Sequence, residues 1–433
     1  MKDIDILFFI EHKDRELEIA LEIRSVLENE FKLKVEISSI IYGVLDSLLQ
    51  FRPKLIVTPS TAFAKGSASW SFNEVYGDNI SYLNLNYEQF IASWRGNFKK
   101  PTHETSINKQ KHFVWGDYFK KILSTGDRSI KESNIFITGR PHSSLMKKKY
   151  GNDNGQSRHE ISKFLNIDIK KEWYFVALTD GLFFVDEKKI QEIIDNGAIE
   201  DGLREEISYA SDAVKVLFDW IYQISKDSSF DDIFILRPHP DVSEDQYREL
   251  FIELYGDMPK NVLIHKDYSG YKWLAACNKY ITNYSTLCVD AKILGKDTYI
   301  IDRNNAYKKL NYWWVSGFKL ITNISEFYSM TSNSSELEII RIDGEVDTIN
   351  NDLDGIVESA RVINSLVIKH NVKISTPMFK LFLLFFKSPK RLFGGYLRKI
   401  IASRGVYVKG ITKKGVINDY IDDLSINKFS SKK

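Results

Sequence analysis

Cysteine is nearly absent from the chain. Cys277 and Cys288 are the only two in 433 residues, which excludes a disulfide framework and a four-cysteine zinc site and fits a reducing compartment. Charge of one sign is lacking too: 60 Lys and Arg stand against 58 Asp and Glu, a net +2, so no global field draws the chain to nucleic acid. No run of about 18–20 apolar residues occurs, and no spanning helix is expected. The opening MKDIDILFFIEHKDRE lacks the basic leader and small-residue cleavage site of a secretory signal. The expectation is a soluble or peripherally attached cytoplasmic protein. What remains is ordinary globular composition, 43% apolar and 27% charged, in a chain long enough for about two to three domains.

Short apolar runs alternate with longer amphipathic stretches, the mark of βα units and parallel sheets. Strands are expected at 4–10, 34–37, 55–58, 82–85, 112–115 and 135–138, with a helix over 14–30 whose Leu17, Ile19, Ala20, Ile23 and Leu27 fall near helical spacing. The polar stretch 147–157 (KKKYGNDNGQS) reads as an interdomain linker. The alternation then restarts, with strands at 173–178, 233–236, 262–264, 279–282 and 298–301. Helices are expected at 205–225, 244–255, 285–294 and 347–370. The division expected is an N-terminal Rossmann-like domain 1–146, a C-terminal one 158–345, a crossover helix 346–374 and a tail 375–433. Two doubly wound α/β domains facing one another place ligands at the carboxyl ends of their strands. A two-domain epimerase or a periplasmic-type binding fold shares this pattern.

The tail differs in kind. Residues 378–386 (MFKLFLLFF) are apolar except Lys380, and 387–414 carry nine Lys and Arg with no Asp or Glu. Too short to span, this basic amphipathic segment suits an interface with anionic lipid. The alternative is a helix packed on the N-terminal domain. No recognised nucleic-acid module accompanies it.

Two constellations carry chemistry. The first is ILRPHP at 235–240, a buried strand delivering Arg237 and His239 into a loop stiffened by Pro238 and Pro240. A guanidinium fork and an imidazole suit phosphate oxygens; a structural ion pair and a turn-closing histidine are the plainer alternative. The second is YITNYSTLCVDAKILGK at 280–296, where Asn283, Tyr284, Ser285 and Thr286 fill a turn between strand and helix. A helix start with Ser285 or Thr286 as N-cap is an anion site or an ordinary cap. Asp290 lies one turn in, placed for ribose hydroxyls or for the helix dipole.

The order of these motifs resembles the donor half of bacterial surface-polysaccharide GT-B enzymes. Among these are the capsule and lipopolysaccharide β-Kdo transferases and, more distantly, the CDP-glycerol glycerophosphotransferases. ILFFIEHKDRELEIA, YLNLNYEQ, KHFVWGDYFK, IFITGRPHSSL, RPHP and NYSTLCVDAKILGK are similar, in matching order over most of residues 4–302, to a family of bacterial surface carbohydrate biosynthesis proteins. The resemblance implies a GT-B-like fold and a glycosyltransferase that moves a sugar, such as Kdo from CMP-Kdo, to a lipid-linked or growing glycan. It implies work at the inner face of the plasma membrane. By that carry-over Arg237, His239, Ser285 and Thr286 contact the nucleotide phosphates; Lys266, Asn283 and Asp290 are further donor-binding candidates. The chain departs from the pattern at Asp290-Ala291, where such enzymes commonly carry Glu-Ala.

Sugar transfer needs a carboxylate as base or nucleophile. Glu11 after the first strand, Glu88 in NYEQ, and Asp180 after the first strand of the second half are the candidates, each with a plainer reading as cap or surface group. His12 and His142 have no metal spacing, and no Asp-x-Asp element sits where a divalent ion would hold a diphosphate. The expectation is metal-independent action, with no cofactor beyond the nucleotide-sugar co-substrate. Two other readings stand beside it: a CDP-polyol phosphotransferase of teichoic-acid type, and a non-catalytic GT-B assembly subunit.

Overall fold

A computed structural model describes residues 1–11, 16–59, 67–90, 107–126, 129–177, 181, 183–195, 199–239, 242–310, 312–332, 353–369 and 378–387. The chain divides into two compact units. One comprises Met1–Gln89, Lys99–Ser144 and Thr348–Lys433, the other Phe90–Phe98 and Leu145–Asp347.

Among the described residues the first unit holds six strands: β1 (Lys2–Ile10), β2 (Val35–Ser39), β3 (Phe51–Thr58), β4 (Ser81–Asn84), β5 (Lys111–Val114) and β6 (Ile135–Ile137). They pair in the order β2-β1-β3-β4-β5-β6, and every pairing is parallel. A parallel sheet is covered on both faces, so its strands read as apolar runs. Ile6 to Phe9 are accordingly all inaccessible to solvent. The helix Glu18–Asn29 turns Ile19, Ala20, Ile23 and Leu27 inward, four of the five residues that its periodicity nominated.

The second unit repeats the plan with β7 (Trp173–Ala177), β8 (Ile233–Arg237), β9 (Val262–Ile264), β10 (Lys279–Thr282), β11 (Asp297–Ile301) and β12 (Lys319–Ile321). The order is β12-β11-β10-β7-β8-β9, again wholly parallel. The long helix Glu200–Ser225 packs Val214, Leu217, Phe218, Ile221 and Ile224 into one cluster with Tyr174, Phe234 and Leu236 of the sheet. The chain leaves β7 for β8 and β9 on one side, then returns to lay β10 on the other. That reversal makes a crevice at the carboxyl ends of β7 and β10, where open α/β sheets bind ligands.

The structure adds detail to the expected elements at three places. The polar stretch 147–157 is partly helical: Met146–Tyr150 continues as π-helix and a helix Gln156–Leu165 starts within it. Met146 and Tyr150 are buried while Lys147–149 face water. The Asp153 carboxylate accepts the Ser157 N–H at 3.0 Å and hydroxyl at 2.7 Å, which starts the second helix. The helix expected over 285–294 is shorter, Leu287–Ile293. The edge strand β12, with three residues, had no periodicity to announce it.

Of the C-terminal region, the helix Gly355–Lys369 belongs to the first unit and packs on Glu18–Asn29. Met378–Lys387 is also helical and packs on the helix Ala68–Tyr76, with Leu381 and Leu384 in one core cluster with Phe72, Val75 and Tyr76.

Candidate functional site

In the second unit the residues nominated by sequence gather at one sheet edge. Arg237 is the last residue of β8 and His239 follows two residues on. Asn283 to Thr286 follow β10, on the other side of β7. The Thr282 hydroxyl donates to the Ala177 carbonyl at 2.6 Å and accepts the Ser285 N–H at 3.2 Å, tying the turn to the end of β7. Asn283 is buried and accepts the Tyr284 N–H through its side-chain oxygen at 2.8 Å. Tyr284 stacks on Tyr312 with centroids 4.2 Å apart, and its carbonyl accepts the Trp314 indole N–H at 2.7 Å. The turn is therefore held from both sides, with the half-exposed Ser285 and Thr286 at its tip. Thr286 stands at the N-cap position but its hydroxyl makes no cap bond; Ser285 Oγ accepts the Leu287 N–H at 3.3 Å instead.

Arg237 is aimed by a second loop. Its Nη2 donates to the Tyr268 carbonyl at 3.1 Å, and Tyr268 has a left-handed backbone, φ 65°. His239 packs against the loop that follows β7: a Cβ placed on Gly181 would lie 2.9 Å from the imidazole Nδ1. Lys266 follows β9, and its ammonium donates to the Val242 carbonyl at 2.9 Å, bracing the connection that carries His239. Asp290 is buried in the helix Leu287–Ile293. Burial pushes the Tyr280 phenol well above its ordinary value, and the Asp290 charge acts in the same direction.

A small pocket with a cavity volume of about 20 Å³ continues this edge beside β11, lined by Asn283, Tyr209, Asp212, Arg303, Tyr307 and Tyr312 among others. Its floor is shaped by Asp302, whose carboxylate accepts the N–H groups of Asn304, Ala306 and Tyr307 at 3.1, 2.9 and 2.9 Å. The sequence reading missed Arg303 and its neighbours, because DRNNAY has the composition of any turn. It also missed Glu244, His265 and Asp267, each of which brings one donor atom to within 4.8 Å of the others. Glu244 there already accepts the Lys266 N–H at 2.6 Å.

Two of the carboxylate candidates, Glu11 and Glu88, belong to the first unit. Glu11 follows β1 and Glu88 follows β4, both at the carboxyl edge of the first sheet. The Glu11 N–H donates to the buried Glu16 carboxylate at 2.7 Å, and the Glu88 side chain is exposed. Asp180, His12 and Pro240 lie outside the described residues.

Most of the first-unit motifs prove to be internal scaffolding. In YLNLNYEQ, Asn84 Oδ1 accepts the Asn86 N–H at 2.9 Å, and Asn86 donates to the Phe113 carbonyl at 2.9 Å. Gln89 accepts the Trp115 N–H at 2.9 Å, so amides stitch the loop after β4 to the end of β5. Arg140 lies over the Trp115 ring at 5.2 Å, and His142 meets the Tyr87 ring edge-on at 5.5 Å, all four buried.

Two parallel six-stranded sheets, each doubly wound with helices, make this a two-domain α/β protein of GT-B-like fold. Among solved structures it is similar to the UDP-GlcNAc 2-epimerase of Methanocaldococcus jannaschii in complex with UDP-GlcNAc and UDP. That match has a TM-score of 0.50 and 12% identity over 84% of this chain and 100% of that one. The Neisseria meningitidis UDP-GlcNAc 2-epimerase bound to UDP-GlcNAc matches with a TM-score of 0.48 and 14% identity, over 85% and 100% of the two chains. The wall teichoic acid polymerase TagF matches with a TM-score of 0.47 and 15% identity, over 84% and 88%. No protein-family model matches the sequence, and no curated protein matches it.

Proposed function

We propose that the chain is a glycosyltransferase of surface-glycan assembly whose second unit binds the nucleotide-sugar donor. One observation carries this reading. Arg237 and His239 after β8, and the Asn283–Thr286 turn after β10, flank β7 at the reversal of strand order. The fold shared with an epimerase solved with UDP-GlcNAc and UDP is consistent with a nucleotide at that place.

In this reading the Arg237 fork and the His239 imidazole take the phosphate oxygens, with the Ser285 and Thr286 hydroxyls beside them. The sugar lies over the open surface beside Asn283, Asp212 and Arg303. The acceptor hydroxyl attacks the anomeric carbon and gives its proton to a carboxylate, Glu11, Glu88 or Asp180 being the candidates. The nucleotide leaves with the bonding electron pair, and cationic and hydroxyl donors meet its growing charge without a metal. The sequence resemblance favours a CMP-linked ulosonic acid such as CMP-Kdo as donor and a lipid-linked or growing glycan as acceptor.

Thermal shift and calorimetry against CMP, CDP, UDP and GDP, with and without magnesium, test this reading, since a ligand of the native state raises apparent stability. The expected result is stabilisation by CMP, indifferent to magnesium and to chelator, and weakened about tenfold or more in His239→Ala and Arg237→Ala. Preference for UDP or GDP replaces the donor with a hexose. Preference for CDP moves the attack to phosphorus, as in a polyol phosphotransferase. No shift with any nucleotide at millimolar concentration overturns the donor site and leaves a non-catalytic subunit.

A further inference from the structure

The helix Met378–Lys387 is apolar on two opposite faces, and only one of them is covered. Leu381 and Leu384 face inward and join the core cluster of the helix Ala68–Tyr76. Lys387 forms an ion pair with Glu74 of that same helix, pinning the outer end. On the other side Phe379, Phe382, Leu383 and Phe386 are exposed by 72, 57, 38 and 70%. Their spacing of three, four and seven residues places them on one face. Three phenylalanines and a leucine within two turns exceed the single apolar residues scattered over ordinary surfaces.

We infer that this face is a shallow membrane insert for a bilayer surface rich in anionic lipid. Charge selects that occupant. Lys380 is exposed on the same helix, and residues 387–414 supply nine Lys and Arg with no acidic residue. Such a basic sequence is attracted to anionic headgroups and repelled by a second copy of itself. Ten residues span only about 15 Å, half the hydrocarbon thickness, so the helix lies in the surface rather than across it. Docking on the helix Ala68–Tyr76 holds the face outward before it meets lipid. Phenylalanine rings presented in this way enter the headgroup–acyl boundary, about 5–10 Å deep. The inference goes beyond the donor site and needs no nucleotide, so the two readings fail independently.

The test is co-sedimentation of the full chain with vesicles of phosphatidylcholine alone and of equal parts phosphatidylcholine and phosphatidylglycerol. Binding is expected to the anionic vesicles, to weaken with salt, and to fall about tenfold or more when Phe379→Ser, Phe382→Ser and Phe386→Ser are combined. These side chains are exposed, so the melting temperature should hold. As a second measurement, an environment-sensitive dye attached through Phe382→Cys should shift to the blue on anionic vesicles; both native cysteines are buried and stay unlabelled. Equal vesicle binding by parent and triple variant, or none by the parent, overturns the inference. So does a parent that is dimeric by light scattering, becomes monomeric in the triple variant, and shows no lipid binding: the face would then cover a second copy.

Discussion

Gly181 and His239 meet so closely that an added methyl would sit 2.9 Å from the imidazole. Gly181→Ala must therefore move the His239 ring. The expected result is nucleotide affinity lowered about tenfold with global stability nearly unchanged, read by calorimetry and thermal melting. An unaltered affinity would show that this contact does not aim the histidine. Asn86 is a structural counterpart: its backbone is left-handed, φ 48°, and its amide bonds Asn84 and the Phe113 carbonyl. Asn86→Ala strains the backbone and removes the oxygen that accepts the buried Asn84 amide N–H, so denaturant unfolding should show a loss of about 2–3 kcal/mol. Sequence reading found NYEQ as a motif but assigned chemistry to Glu88, its exposed member. The buried amides around it gave no signal because the groups they bind outside the loop, the Phe113 carbonyl and the Trp115 N–H, lie more than twenty residues away. Cys277 carries a separate expectation: burial pushes its thiol up to about 12. Iodoacetamide at neutral pH should leave it unmodified until the chain is unfolded.

At the scale of elements, legibility followed length and amphipathicity. The helix Glu244–Tyr255 was legible to the residue, and its start is a reciprocal cap in which Ser243 and Gln246 satisfy each other's backbone N–H groups. The helix Ala68–Tyr76 was not, because seven of its nine residues are buried and no polar face marks its period. Arg158 had no signal at all. It stacks on Trp173 at 4.2 Å and donates to the carbonyls of Ile169 and Ala276 at 3.1 and 2.8 Å, joining the helix Gln156–Leu165 to the amino end of β7. The helix Gly355–Lys369 depends on its first residue. A Cβ on Gly355 would lie 2.6 Å from the Arg140 carbonyl carbon, and the Gly355 N–H donates to Ser144 Oγ at 2.8 Å. Gly355→Ala therefore forces the helix start off its seat. A loss of about 1–3 kcal/mol is expected in urea titration, and wild-type stability would mean the backbone yields there at no cost.

At the scale of the molecule, alkaline pH should be the point of failure. Burial raises the phenols of Tyr82, Tyr174 and Tyr280 far above their ordinary value, and that of Tyr255 to about 12. Unfolded tyrosine ionises near pH 10. Above that pH the unfolded chain gives up protons that the folded chain keeps, so stability falls as pH rises. Tyrosinate absorbance should appear together with loss of far-ultraviolet ellipticity; a phenol signal that titrates smoothly while helix content holds would contradict the burial. The alternation of strand and helix, the apolar runs of buried strands, and the residue types at the strand ends were determined by the sequence alone. Those are local properties, set by side-chain period and turn chemistry. Only the tertiary structure decided that β10 returns beside β7, that Asp290 is enclosed, and that the helix Gly355–Lys369 goes back to the first unit. Each of these joins residues remote in the chain, and burying apolar surface against a distant partner leaves no period in the sequence to read.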